Sequence, residues 1–214
     1  MGKFKFFDLT LLSLLFLSAT FVSVSAFTTG SYGSSSYGSC ASGQACSISV
    51  TSDGGLSISL TPTSSGDCST NYDSVSVLTD DANGYSLSIS NNSATTNSLV
   101  SGSNSISSTS GTASSPAALS INQWGYRVDT VSSGGFSTPS SFGAGPTSQV
   151  TNVNYPISPL FAQTKLSGSS DIIATDSTSS DPATTTTVWY GTCANTNIAS
   201  GTYTTTLVYT AIAD

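Results

Sequence analysis

Aliphatic and aromatic residues recur at every second position of this chain with serine or threonine between them, and that spacing confines the fold more than any other feature. Ile48 and Val50, then Leu56, Ile58 and Leu60, then Val75 and Val77, then Tyr85, Leu87 and Ile89 all follow it. A period of two puts one set of side chains on one face of an extended strand, whereas a helix needs a period near 3.6. Outside the amino-terminal apolar run, no window has helical periodicity. Turn residues punctuate the pattern. Asp53-Gly54-Gly55 predicts a hairpin joining residues 48–50 to 56–60. Asp80-Asp81-Ala82-Asn83-Gly84, whose Asn-Gly supplies the positive φ of a tight reversal, predicts a second hairpin joining residues 75–77 to 85–89.

Residues 91–117 are rich in Ser, Asn, Thr and Gly without apolar rhythm and read as a long solvated loop. Leu119 and Ile121 then lead into Trp124, Tyr126 and Val128, which share one face of a central strand, with Arg127 and Asp129 paired on the other. Residues 134–146 form another Gly/Pro/Ser loop. Pro156 and Pro159 confine residues 155–160 to an edge strand or extended coil, because each proline removes a ladder donor. A short strand at Ile172 and Ile173, one at residues 187–191 and a last one within residues 201–213 complete the reading; in the last, Tyr203, Thr205, Leu207 and Tyr209 share a face. No repeat of about forty residues recurs, which excludes a propeller. The expectation is an all-β, antiparallel β-sandwich of about eight or nine strands with long Ser/Thr/Gly-rich loops, forming a single domain over residues 46–214.

Residues 1–26 read as an export signal. Lys3 and Lys5 precede an apolar run from Leu11 to Val22, and Val24, Ser25 and Ala26 are small enough for cleavage before Phe27. That run is shorter than the roughly 20 residues of a bilayer span, so no stable membrane span is expected after cleavage. Residues 27–45 form a Ser/Gly/Tyr-rich leader in which Ser-Tyr-Gly-Ser occurs twice. The mature chain keeps Arg127 and Lys165 against ten aspartates, a net charge of −8. Such a balance disfavours nucleic acid and anionic membrane as partners. In an exported chain, Cys40, Cys46, Cys68 and Cys193 read as a disulfide framework. Four cysteines allow three pairings; the favoured one is Cys40 with Cys46 as a local loop and Cys68 with Cys193 as a long staple.

The chain contains no histidine and no glutamate, so all eleven acidic residues are aspartates. Histidine is the side chain that titrates near neutrality unaided, and without it a conventional hydrolase or metalloenzyme is disfavoured. No catalytic residue and no cofactor is expected. The weak metal candidate is calcium at Asp80, Asp81 and Asn83, whose oxygens share one turn but lack the spacing of a dedicated calcium loop. Trp189 and Tyr190 point to opposite faces, so one of them can be exposed, and they are the sugar-stacking candidates. Lys165, the single lysine of the mature chain, is a weak candidate for an intramolecular amide crosslink or a Ser-Lys pair, against the plainer role of a solubilising charge. Thr184–Thr187 and the Thr-x-Thr spacing near the end reflect β propensity, and Asn91-Asn92-Ser93 fits a glycosylation acceptor.

Three segments resemble a family: Asn83-Gly84-Tyr85-Ser86-Leu87, Trp124-Gly125-Tyr126 and Gly201-Thr202-Tyr203-Thr204-Thr205-Thr206-Leu207. They look like small secreted bacterial surface proteins with an immunoglobulin-like β-sandwich. The closing strand is similar to the end of WxL-like and spore-coat- or pilin-type surface domains. The WxL tryptophan signature itself is absent, so no binding residues carry over. The resemblance implies a cell-surface or extracellular-fibre component without catalysis. The expected function is structural or adhesive, with other surface proteins or further copies of the chain as partners; the alternative is a carbohydrate-binding module that takes glycans on exposed aromatic residues.

Overall fold

A computed structural model describes residues 15–18, 20–21, 46–143 and 147–214. The cleavage site expected before Phe27 and the leader at 27–45 lie outside the described residues. The strands are β1 (Leu15–Ser18), β2 (Thr20–Phe21), β3 (Ile48–Ser52), β4 (Ser57–Leu60), β5 (Asp67–Thr79) and β6 (Tyr85–Asn91). They continue with β7 (Leu99–Ser101), β8 (Asn104–Ser108), β9 (Ala117–Ala118), β10 (Gln123–Val128), β11 (Ser132–Ser133) and β12 (Phe136–Ser137). After a single 3₁₀ turn at Ser140–Phe142 come β13 (Val153–Asn154), β14 (Leu160–Phe161), β15 (Asp171–Asp176), β16 (Thr184–Ala194) and β17 (Thr206–Ala213). Among the described residues, no helix is long and apolar enough to cross a membrane.

The protein is an all-β sandwich. The larger sheet runs β13-β5-β16-β10-β8-β7 with β3 also paired to β5, and the smaller runs β11-β12-β15-β6-β17-β2. Pairing is antiparallel except for β10 with β8 and β17 with β2. The alternation in sequence does what a period of two requires. Val75, Val77, Tyr126, Val128 and Val188 of the larger sheet meet Tyr85, Leu87, Ile89, Ile173 and Leu207 of the smaller in one buried core. Trp124, Tyr126 and Val128 are buried together as expected; Leu207 and Tyr209 are buried on the inner face of β17, while Tyr203, also buried, precedes that strand.

Three expectations are corrected. β3 and β4 do not form a hairpin: β3 pairs with β5 and β4 with β1. Gly54 and Gly55 do take positive φ (64° and 58°), yet their turn separates the two strands instead of pairing them. Nor do β5 and β6 pair. Both edges of β5 are taken by β3 and β16, and both edges of β6 by β15 and β17, so the turn at 80–84 crosses from one sheet to the other. Gly84 (φ 91°) is required there, since a Cβ would sit 1.7 Å from the Asp176 carbonyl oxygen. Finally, residues 91–117 are not one loop. β7 and β8 pair within them and bury Leu99 and Ile106; Leu99, Val100 and Ile106 in serine-rich surroundings are too few to show periodicity.

The Cys68–Cys193 disulfide forms as expected, spanning 125 residues. The two half-cystines are register partners on β5 and β16. Both are fully buried and pack with Leu119 and Phe161 in a second, smaller core on the outer side of the larger sheet. Cys46 is disulfide-bonded; its expected partner, Cys40, lies outside the described residues.

Candidate functional site

Alternation on β10 and β16 turns Arg127, Trp189 and Gly191 away from the core, onto the outer face of the larger sheet. Register then lines up Arg127, Trp189 and Tyr72 as one row across β10, β16 and β5. Tyr72 is 43% exposed and its ring centroid lies 4.9 Å from that of Trp189, tilted by 51°. Trp189 beneath it is only 8% exposed and Tyr190 only 2%. The exposure expected of Trp189 or Tyr190 is therefore corrected: Tyr72 shields the first, and the second faces the core, where its hydroxyl meets that of Tyr209. Among the described residues the exposed aromatic is Tyr72, which alternation did not single out because the first half of β5 carries polar residues and no apolar rhythm.

Arg127 and Asp129 pair as expected. The guanidinium reaches one carboxylate oxygen of Asp129, Oδ1, through Nη2 at 2.8 Å and through Nε at 3.0 Å. Thr147 completes the carboxylate's shell, its backbone N–H donating to Oδ2 and its hydroxyl to Oδ1, each at 2.6 Å. Burial pushes the Asp129 carboxyl up, but the two Thr147 hydrogen bonds and the Arg127 guanidinium outweigh it and hold the group below its ordinary value of 3.8. Thr147 lies in a serine- and threonine-rich loop where no sequence signal marks one hydroxyl above the others.

The Arg127 guanidinium lies under a cleft of about 600 Å³. A strap over residues 147–160 forms its walls. The strap is tied to β5 where Thr70 donates its N–H to the Val150 carbonyl (2.9 Å) and its hydroxyl to the Ser148 carbonyl (3.0 Å). Beyond β13, the two prolines prevent the strap from extending the sheet. Val150, Val153, Pro156, Ile157, Pro159 and Leu160 give it an apolar lining, and Arg127 is the one charged residue among those lining the cleft. The strap is held down at its end by Phe161, whose ring lies over Gly191; a Cβ there would come within 2.6 Å of it. A second cleft of about 360 Å³ lies across Thr147, lined by Asp129, Thr130, Val131, Thr185, Thr187 and Trp189 among others.

The other candidates are placed elsewhere. The Asp80 carboxylate accepts from the N–H (2.7 Å) and hydroxyl (3.1 Å) of Ser47, while Asp81 accepts from the Asn83 N–H at 2.9 Å. Asp80 thus ties the turn to the residue before β3 and Asp81 serves the turn itself, and no group of three His, Cys, Asp or Glu side chains able to hold a metal ion occurs among the described residues. Lys165 is half exposed and ion-paired with Asp171 at 3.1 Å; the same carboxylate accepts from the Tyr126 hydroxyl at 3.1 Å. That exposure leaves the lysine solvated, contrary to what a Ser-Lys pair requires.

The sheet edges form a different kind of site. β1 and β2 belong to the apolar run read as an export signal. Leu15 to Ser18 pair with Leu60 to Ser57, and Thr20 and Phe21 then pair with Thr206 and Leu207, so one short stretch bridges β4 to β17. Beyond Leu207, the outer edge of β17 has no ladder partner among the described residues, and Ile212 on it is 61% exposed. Neither β4 nor β17 carries a lysine, arginine or proline, the residues that normally discourage edge-to-edge pairing. Comparison with protein-family models, with curated proteins and with solved structures finds no match to this chain.

Proposed function

We propose that this chain is an exported, non-catalytic structural or adhesive subunit of a cell surface or extracellular fibre, joined to its neighbours by strand addition. One observation carries the reading. The stretch that closes β4 and the start of β17 is the stretch that reads as a removable export signal. Its removal leaves two uncharged strand edges able to take an extended segment from a neighbour. The absence of histidine and glutamate supports the non-catalytic part, as does the engagement of buried aspartates: Asp73 accepts from the Ser52 hydroxyl and the Asp53 N–H, and Asp67 from the Thr63 N–H. The immunoglobulin-like reading of the sandwich belongs to this same proposal.

Light scattering tests it. A chain beginning at Phe27 should associate, and the same chain lacking residues 27–39 should remain a folded monomer. Undiminished association of the shortened chain would reject the leader as the added strand. A second reading, a carbohydrate-binding module, is favoured by the exposed Tyr72 ring on Trp189. Glycan-array binding lost on Tyr72→Ala, with circular dichroism unchanged, would support it.

A further inference from the structure

The Arg127 cleft does not take part in the edge pairing described above. Arg127 is nearly fully buried, its side chain 4% exposed, and a guanidinium carries five N–H donors. Its contacts with Asp129 use Nε and Nη2 alone; no other protein acceptor reaches it among the described residues. The carboxylate it pairs with faces the neighbouring cleft across Thr147 and does not line this one. A chain of net charge −7 thus keeps a cleft whose one charged lining residue is a cation. The unused nitrogen of Arg127, Nη1, is not sealed from solvent, and an acceptor bearing a negative charge makes the strongest hydrogen bond to such a donor. The remaining lining is mixed, apolar along Val150, Ile157 and Leu160 and polar at Thr70, Thr147, Ser148, Asn154 and Ser158, and the volume falls in the range of small-ligand sites.

We propose that this cleft binds a small amphiphile consisting of one carboxylate on an unbranched apolar body, the carboxylate against the free edge of Arg127 and the body along Val150, Ile157 and Leu160. Charge complementarity selects the carboxylate, and the apolar walls select its tail. The site requires no second copy of the chain and no strand addition, so it stands whether or not the subunit assembles.

Isothermal titration of the chain beginning at Phe27 with decanoate, decanol and an N-acetylated dipeptide bearing a free carboxylate tests the assignment. Decanoate should bind at one site per chain, at least tenfold more tightly than either of the others. Ser158→Asp places a like charge at the exposed rim without touching the Arg127–Asp129 pair and should weaken decanoate at least tenfold, with the circular dichroism spectrum unchanged. Arg127→Lys keeps the charge but loses the fork, and should weaken it as well. Equal binding of decanol, preference for the dipeptide, indifference to Ser158→Asp, or no binding of decanoate at millimolar concentration would each overturn the proposal.

Discussion

Replacing both Cys68 and Cys193 with alanine should cost this domain a large part of its stability. The bridge closes a loop of 125 residues. In the chain-entropy treatment that closure removes about 16 cal/mol/K from the unfolded ensemble, or about 5 kcal/mol at 25 °C. Both sulfurs are also fully buried against Leu119 and Phe161, so the alanines leave a small void in a packed cluster. Domains of this size have about 5–15 kcal/mol in total, and each kcal/mol moves the midpoint by about 2–4 °C at this length. The double variant should therefore melt about 10–20 °C lower, with a steeper urea dependence because its unfolded chain is more expanded. The native spectrum should be retained, since the eleven register pairs joining β5 to β16 do not depend on the bridge. A loss below about 1 kcal/mol in urea unfolding would refute the reasoning, because it would mean that the bridge does not restrict the unfolded chain.

Gly191→Ala should destabilise by about 1–3 kcal/mol in the same assay, as its Cβ would come within 2.6 Å of the Phe161 ring. Burial raises the phenols of Tyr85, to about 12, and of Tyr126, Tyr190 and Tyr209. Their stabilising effect is complete below the unfolded value near 10 and is lost as pH rises above it, so their phenolate absorbance should appear together with loss of the circular dichroism signal. Gradual ionisation near pH 10 with the fold intact would contradict this. Asp129 is lowered, so its contribution is present above its ordinary 3.8 and is lost as pH falls through the lower folded value. The stability difference between the native protein and Asp129→Asn should accordingly narrow below about pH 4, and a difference that stays constant with pH would count against it.

The strands that bury one apolar face were legible in the sequence, because Tyr85, Leu87 and Ile89, or Trp124, Tyr126 and Val128, declare a face by spacing alone. Strand partnership was not. A glycine turn such as Asp53-Gly54-Gly55 fixes that the chain reverses, but which sheet receives the next strand depends on which edges are already taken, and β5 had both occupied. The first half of β5 was invisible for another reason. Its residues Ser69, Thr70 and Asp73 are buried polar groups satisfied by partners distant in sequence, such as Ser148, Val150 and Ser52, and no local pattern reports such partners. At the candidate site, the Arg127–Asp129 pair followed from two residues sharing a strand face. Tyr72 over Trp189 required a cross-strand register, and Thr147 a loop conformation, that spacing does not encode.

Amide hydrogen exchange on the chain beginning at Phe27, compared between its monomeric and assembled forms, bears most directly on assembly through open edges. Amides of Ser57–Leu60, and those of Val208–Ala213 that point away from β6, should exchange rapidly in the monomer and become protected on assembly, while those of the buried strand β16 change little. Assembly that leaves both edges unprotected, or edges already protected in the monomer, would contradict it.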